Sequence, residues 1–97
     1  MPVRVRKKEE TEGQWSFVVE VGTNSDDTTG FLVRVDKEHW KNLTGGKYPP
    51  ELLVGKSFRF LLKREPCSSI QRDFNIKEIT QFFPGYENEM RRIFKVL

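Results

Sequence analysis

The stretch Pro49 to Pro66, PPELLVGKSFRFLLKREP, is the only long segment of this sequence that combines a helical pattern with clear start and stop signals. Successive helical residues stand about 100° apart, which puts Leu53, Val54, Ser57, Phe58, Phe60, Leu61 and Leu62 on one broad arc. An arc that wide does not suit a surface helix resting on one neighbour, so the pattern predicts a central helix, 50–64, packed on more than one side. The opposite arc carries Leu52, Gly55, Lys56, Arg59 and Lys63, a narrow basic stripe left for water or for a partner. Pro49 and Pro50 suit a first helical turn, where an amide donor has no intrahelical acceptor, and Glu51 complements the positive end of the helix dipole. Lys63 and Arg64 complement the other end, and Pro66 stops the helix.

Upstream, the hydrophobic period changes from helical to alternating. Val3 and Val5 alternate with Arg4 and Arg6, a short half-buried strand with a basic outer face. Trp15, Phe17, Val19 and Val21 share one face opposite Ser16 and Glu20, with Val18 the exception, as the central strand of a meander requires. The polar run Thr23 to Thr29 reads as a loop tip, after which Phe31, Val33 and Val35 alternate with Leu32 and Arg34 in a third strand. Connections this short favour antiparallel pairing.

Asp36 is a suitable N-cap for a short helix Lys37 to Leu43, which Gly45-Gly46 ends. Beyond Pro66 the segment Cys67 to Asp73 is a polar connection with Ile70 as a plug into the core. Asn75 and Glu78 form a capping-box-like start for a third helix, Ile76 to Phe83, presenting Ile76, Ile79 and Phe83. Pro84-Gly85 breaks it, and Tyr86 to Leu97 follows as a terminal helix with Tyr86, Met90, Ile93 and Leu97 on its inner face. The order predicts one α+β domain, 1–97: a three-stranded antiparallel meander, then about four helical segments on one sheet face.

Few classes of chemistry fit the side chains present. His39 is the only histidine, so a histidine-rich metal site is excluded and a Cys–His pair is restricted to Cys67 with His39. The loop residues Asn24, Asp26 and Asp27 lack the glycine register and closing glutamate of a calcium loop. Gly45-Gly46-Lys47 has no glycine at position 41 and places Tyr48 where a phosphate loop needs Ser or Thr. Glu78, Glu87 and Glu89 read as solvated helix surface. No enzyme activity, metal, cofactor or small-molecule substrate is expected. The basic start, Met1 to Lys8, has no apolar run, and no segment approaches the ~18 apolar residues of a membrane span, so a cytoplasmic chain with no membrane partner is expected. The net charge of +3 is too mild to mark a dedicated nucleic-acid binder.

Two resemblances bear on function. The strand Phe31 to Val35, the short helix, the glycine turn and the helix up to Arg64 resemble the ribbon-helix-helix fold of small repressors and antitoxins. That resemblance implies that two chains pair their strands into a ribbon entering the major groove, with Leu32 and Arg34 pointing outward and the start of the second helix facing phosphate. The phrases LTGG, PPELL, SFRFLLKREP, SSI and FFPGYENEM are similar to a set of small uncharacterised prokaryotic proteins with the same order of segments. This second likeness implies the fold and a cytoplasmic setting, and it implies no activity.

The expected function is therefore a non-enzymatic binding or regulatory module acting through protein contacts, self-associated or as an accessory subunit. Its expected partner surface is Leu52, Lys56, Arg59 and Lys63. The alternative is a ribbon-helix-helix-like DNA-binding regulator using Arg4, Arg6, Lys7, Lys8 and Arg34.

Overall fold

The computed structural model describes residues 2–22 and 27–97, and the chain forms the α+β domain that its pattern predicts. Strands β1 (Val3–Glu10), β2 (Gln14–Val21) and β3 (Thr29–Asp36) form the antiparallel meander. Trp15, Phe17, Val19, Val21, Phe31, Val33 and Val35 are buried on one face. Val18 breaks the alternation because it stands on the other face, between Arg6 and Leu32. A register shift between Lys7 and Glu9 bulges the edge strand β1, which alongside its charged side chains discourages edge-to-edge pairing.

Helix α1 (Lys37–Thr44) ends at Gly45, whose φ of 75° is the left-handed conformation that glycine supplies without strain. Asp36 holds the N-cap position but makes no side-chain cap bond. Its carboxylate instead accepts from Gln14 Nε2 at 2.9 Å and Asn75 Nδ2 at 3.0 Å and pairs with Lys77 Nζ at 2.5 Å. These contacts, led by the Gln14 hydrogen bond, lower its pKa to about 2.

Helix α2 (Pro50–Leu62) is the central helix, and its wide apolar arc is used on two sides. Phe58 meets Phe31 of the sheet edge-to-face at 5.1 Å, while Phe60 meets Tyr86 at 5.4 Å and Phe83 at 5.9 Å. Between these aromatic contacts, Ser57 donates to the Leu53 carbonyl at 2.8 Å and lies 2.6 Å from the Tyr86 hydroxyl. Both residues are fully buried, and burial pushes the Tyr86 phenol well above its ordinary pKa.

The sheet has a fourth strand. β4 (Asp73–Asn75) pairs parallel with β3, so the sheet order is β1-β2-β3-β4 and the segment between β3 and β4 is a crossover containing α1 and α2. Sequence alone places no strand there, because three residues are too few to show a period. The capping box at Asn75 and Glu78 forms as expected, but the helix behind it divides into a 3-10 turn, Ile76–Glu78, and a short helix α3, Ile79–Phe82. Ile70 is buried as expected. The terminal helix α4 (Tyr86–Val96) buries Tyr86, Met90 and Phe94 at a strict spacing of four. Ile93 is half-buried and Leu97 is 55% exposed, which corrects the expected inner face. Phe94 takes that place by packing its ring 5.4 Å from Tyr48. No described helix is long and apolar enough to cross a membrane.

Candidate functional site

The end of α2, the segment leading into β4 and the helix α3 leave an aromatic surface beside a cleft. Phe82 and Phe83 are adjacent in the chain, and the short α3 cannot direct both inward. Phe83 packs on Phe60 and is half-buried, whereas Phe82 stands 64% exposed. On one side of this pair lies a cleft of about 180 Å³ with walls of Leu61, Ile70, Phe74 and Ile79. Glu65 and Glu78 add carboxylates to its lining. One Glu78 oxygen accepts the Asn75 amide at 2.8 Å, which fixes that side chain beside the cleft.

On the other side of Phe82 and Phe83 is a second open depression, of about 430 Å³, with Phe60, Arg64 and Glu89. The Arg64 guanidinium lies 3.6 Å from the centre of the Phe60 ring and donates to the Phe60 carbonyl at 3.0 Å, so this exposed cation is held in place. Glu89 pairs with Arg92 at 2.5 Å, and its pKa is lowered by that hydrogen bond first and by the nearby charges of Arg64 and Lys63 as well. The basic end of α2 thus reaches this depression through Arg64, the residue after the Lys63 C-cap.

The remaining expected site residues are spread over three surfaces. Arg59 is exposed on α2 and Lys63 is exposed at its C-cap, since the helix ends at Leu62 rather than at the expected Arg64, while Lys56 and Leu52 are half-buried and Leu52 packs on the core. Arg4, Arg6 and Arg34 share the sheet face opposite the helices, since they alternate with the inward valines and phenylalanines. Arg34 is paired with Asp73, and Arg4 lies 3.9 Å from Glu20. Lys7 stands in register with Phe17, on the helix-bearing face, and pairs with Glu10 at 3.2 Å. Lys8 lies exposed at the bulge. Lys37 is the closer partner of Glu10, at 2.6 Å, and the two lysines, Lys37 foremost, lower the Glu10 pKa to about 2.

This arrangement removes the ribbon geometry. A ribbon-helix-helix dimer pairs the strand before its first helix with the same strand of a second chain, and β3 is already paired on both edges by β2 and β4. Leu32 and Arg34 do point outward, but from the interior of a four-stranded sheet.

His39 Nε2 lies 3.1 Å from Glu87 Oε2, which also accepts from Thr80 at 3.4 Å, so the histidine ties α1 to α4 rather than to Cys67. Cys67 opens a 3-10 turn, Cys67–Ser69, after α2. Among the described residues no group of three or more His, Cys, Asp or Glu is placed to hold a metal ion. Asn24 and Asp26 lie outside the described residues. Glu87 and Glu89 are each ion-paired, and Glu78 is a cap, so none is plain solvated surface as the sequence suggests.

Comparison with protein-family models, with curated proteins and with solved structures finds no match to this chain. The geometry therefore carries the functional reading alone. Sequence reasoning passed over Phe82 and Glu65; the available signal was the doubled Phe82-Phe83 just before Pro84, because a helix end of that length has room to bury one ring.

Proposed function

We propose that this chain is a non-enzymatic binding module that works through protein contact, and that the contact is made at Phe82 and the cleft beside it. The single observation behind this reading is the 64% exposure of Phe82, the only large aromatic side chain so exposed among the described residues, at the edge of an apolar opening. Leaving an aromatic ring in water forgoes roughly 2 kcal/mol of burial, and aromatic anchors dominate the energetics of protein interfaces. The size of the cleft favours a side chain over a cofactor. Its 180 Å³ is close to the roughly 150 Å³ cavity that holds one benzene, and well below the roughly 300–1,000 Å³ of small-molecule sites. Lys63 and Arg64 supply the basic margin, which joins the expected stripe of Leu52, Lys56 and Arg59 to the aromatic surface.

The test uses N-acetyl-phenylalaninamide as a stand-in for a docking side chain, followed by the methyl resonances of Leu61, Ile70 and Ile79 in NMR. Saturable shifts confined to these three, with those of Val5 and Val19, paired on the two strands away from β4, unmoved, are expected. No response of the cleft methyls removes the reading. Titration with duplex DNA at low and high salt separates this reading from a nucleic-acid one, because phosphate contacts give a steep salt dependence.

A further inference from the structure

Resting on the contact reading above, we infer that the occupant of the cleft is a second copy of this chain, related by a two-fold axis, with Phe82 of each copy inserted into the cleft of the other. A two-fold interface joins one surface patch to itself, so it requires a patch that carries both a projection and its own receptor. This patch does. Phe82 is both the exposed ring and a wall of the cleft, so the two features are neighbours on one surface. The cleft volume of about 180 Å³ matches one aromatic ring.

Charge completes the match. Each copy presents Glu65 and Glu78 on the cleft side of Phe82 and Arg64 on the other side. Exchange of the two rings carries the Arg64 of each copy towards the carboxylates of the other. Among the described residues no cation pairs with Glu65 within the chain, and Glu78 uses one oxygen as a cap, so both have acceptor capacity to spare. Arg64 is already oriented by the Phe60 ring and carbonyl, so little side-chain entropy is lost when it meets a carboxylate. The contact rests on one ring and one charged pair from each copy, so the association is weak and reversible.

Sedimentation equilibrium over a wide concentration range tests this. A monomer–dimer equilibrium is expected, with Phe82→Ala weakening it by about 30-fold or more, as removal of a central aromatic anchor does. Phe82 is exposed, so Phe82→Ala and Phe82→Asp should fold, with melting temperatures unchanged at dilutions where the wild-type chain is monomeric. Arg64→Glu and Glu65→Arg should each be monomeric alone, because each places like charges across the axis, and should form a mixed dimer when combined. A monomer at every concentration, a dimer indifferent to Phe82→Asp, or charge variants that fail to associate on mixing would overturn the proposal. A monomer whose cleft still takes N-acetyl-phenylalaninamide overturns the second copy and leaves the contact reading in place. A monomer whose cleft ignores the probe removes both.

Discussion

The buried hydroxyl pair Ser57–Tyr86 makes the most exacting prediction about how the central helix is held. Ser57 donates to the Leu53 carbonyl at 2.8 Å, so in the 2.6 Å contact the Tyr86 hydroxyl is the donor and Ser57 the acceptor. Tyr86→Phe removes the donor and leaves Ser57 still bonded to Leu53, a loss of about 1 kcal/mol. Ser57→Ala is worse, because it strands a buried phenol hydroxyl; about 2 kcal/mol is expected, after the gain of up to about 0.5 kcal/mol from alanine in a helix. In the double variant both polar groups are gone, so its loss should be about 1 kcal/mol or less, well short of the sum. For a domain of 97 residues each kcal/mol moves the melting temperature by roughly 4–8 °C, so thermal unfolding resolves all three variants. Additive losses, or a double variant no more stable than Ser57→Ala, would refute this assignment of donor and acceptor.

Three further perturbations follow from the packing. Phe58→Ala empties the contact with Phe31 and Phe74 and should cost about 3–5 kcal/mol in urea unfolding, enough to leave the domain marginal. Gly22→Ala should cost about 1–3 kcal/mol by the same assay, because φ is 150° there and a Cβ would lie 2.5 Å from the Asp27 carbonyl oxygen. The lowered pKa of Asp36 adds stability that is complete above its ordinary value of 3.8 and is lost as pH falls through about 2. Asp36→Asn should therefore be less stable at pH 7 and lose less of its remaining stability between pH 4 and pH 2. Glu10, also at about 2, keeps part of that acid sensitivity in the variant.

The elements that read correctly from sequence are those whose signal is local. β2 and β3 declare themselves by alternation over Trp15 to Val21, with Val18 the exception, and over Phe31 to Val35, and α2 by a pair of prolines before an apolar arc. The capping box at Asn75 and Glu78 was legible for the same reason, since both partners lie within one helical turn. Asp36 shows the limit: its position before a helix was plain, yet its side chain is drawn to Gln14, Asn75 and Lys77, which come from three other segments. The basic stripe was legible from helical spacing, but it meets the aromatic patch only through the neighbouring Arg64.

By itself, then, the sequence determined the class of fold, the strands of the meander and the placing of the central helix, because hydrophobic period and cap chemistry act over a few neighbouring residues. Tertiary structure alone decided that Asp73–Asn75 would become the fourth strand, that it would cover the middle of β3's second edge at Leu32 to Arg34, and that Phe82 would face water while Phe83 packed on Phe60. These outcomes depend on which distant surface each short segment meets. Three residues of β4 or four of α3 carry too little local preference to choose one, so the choice passes to the sheet and helices already in place.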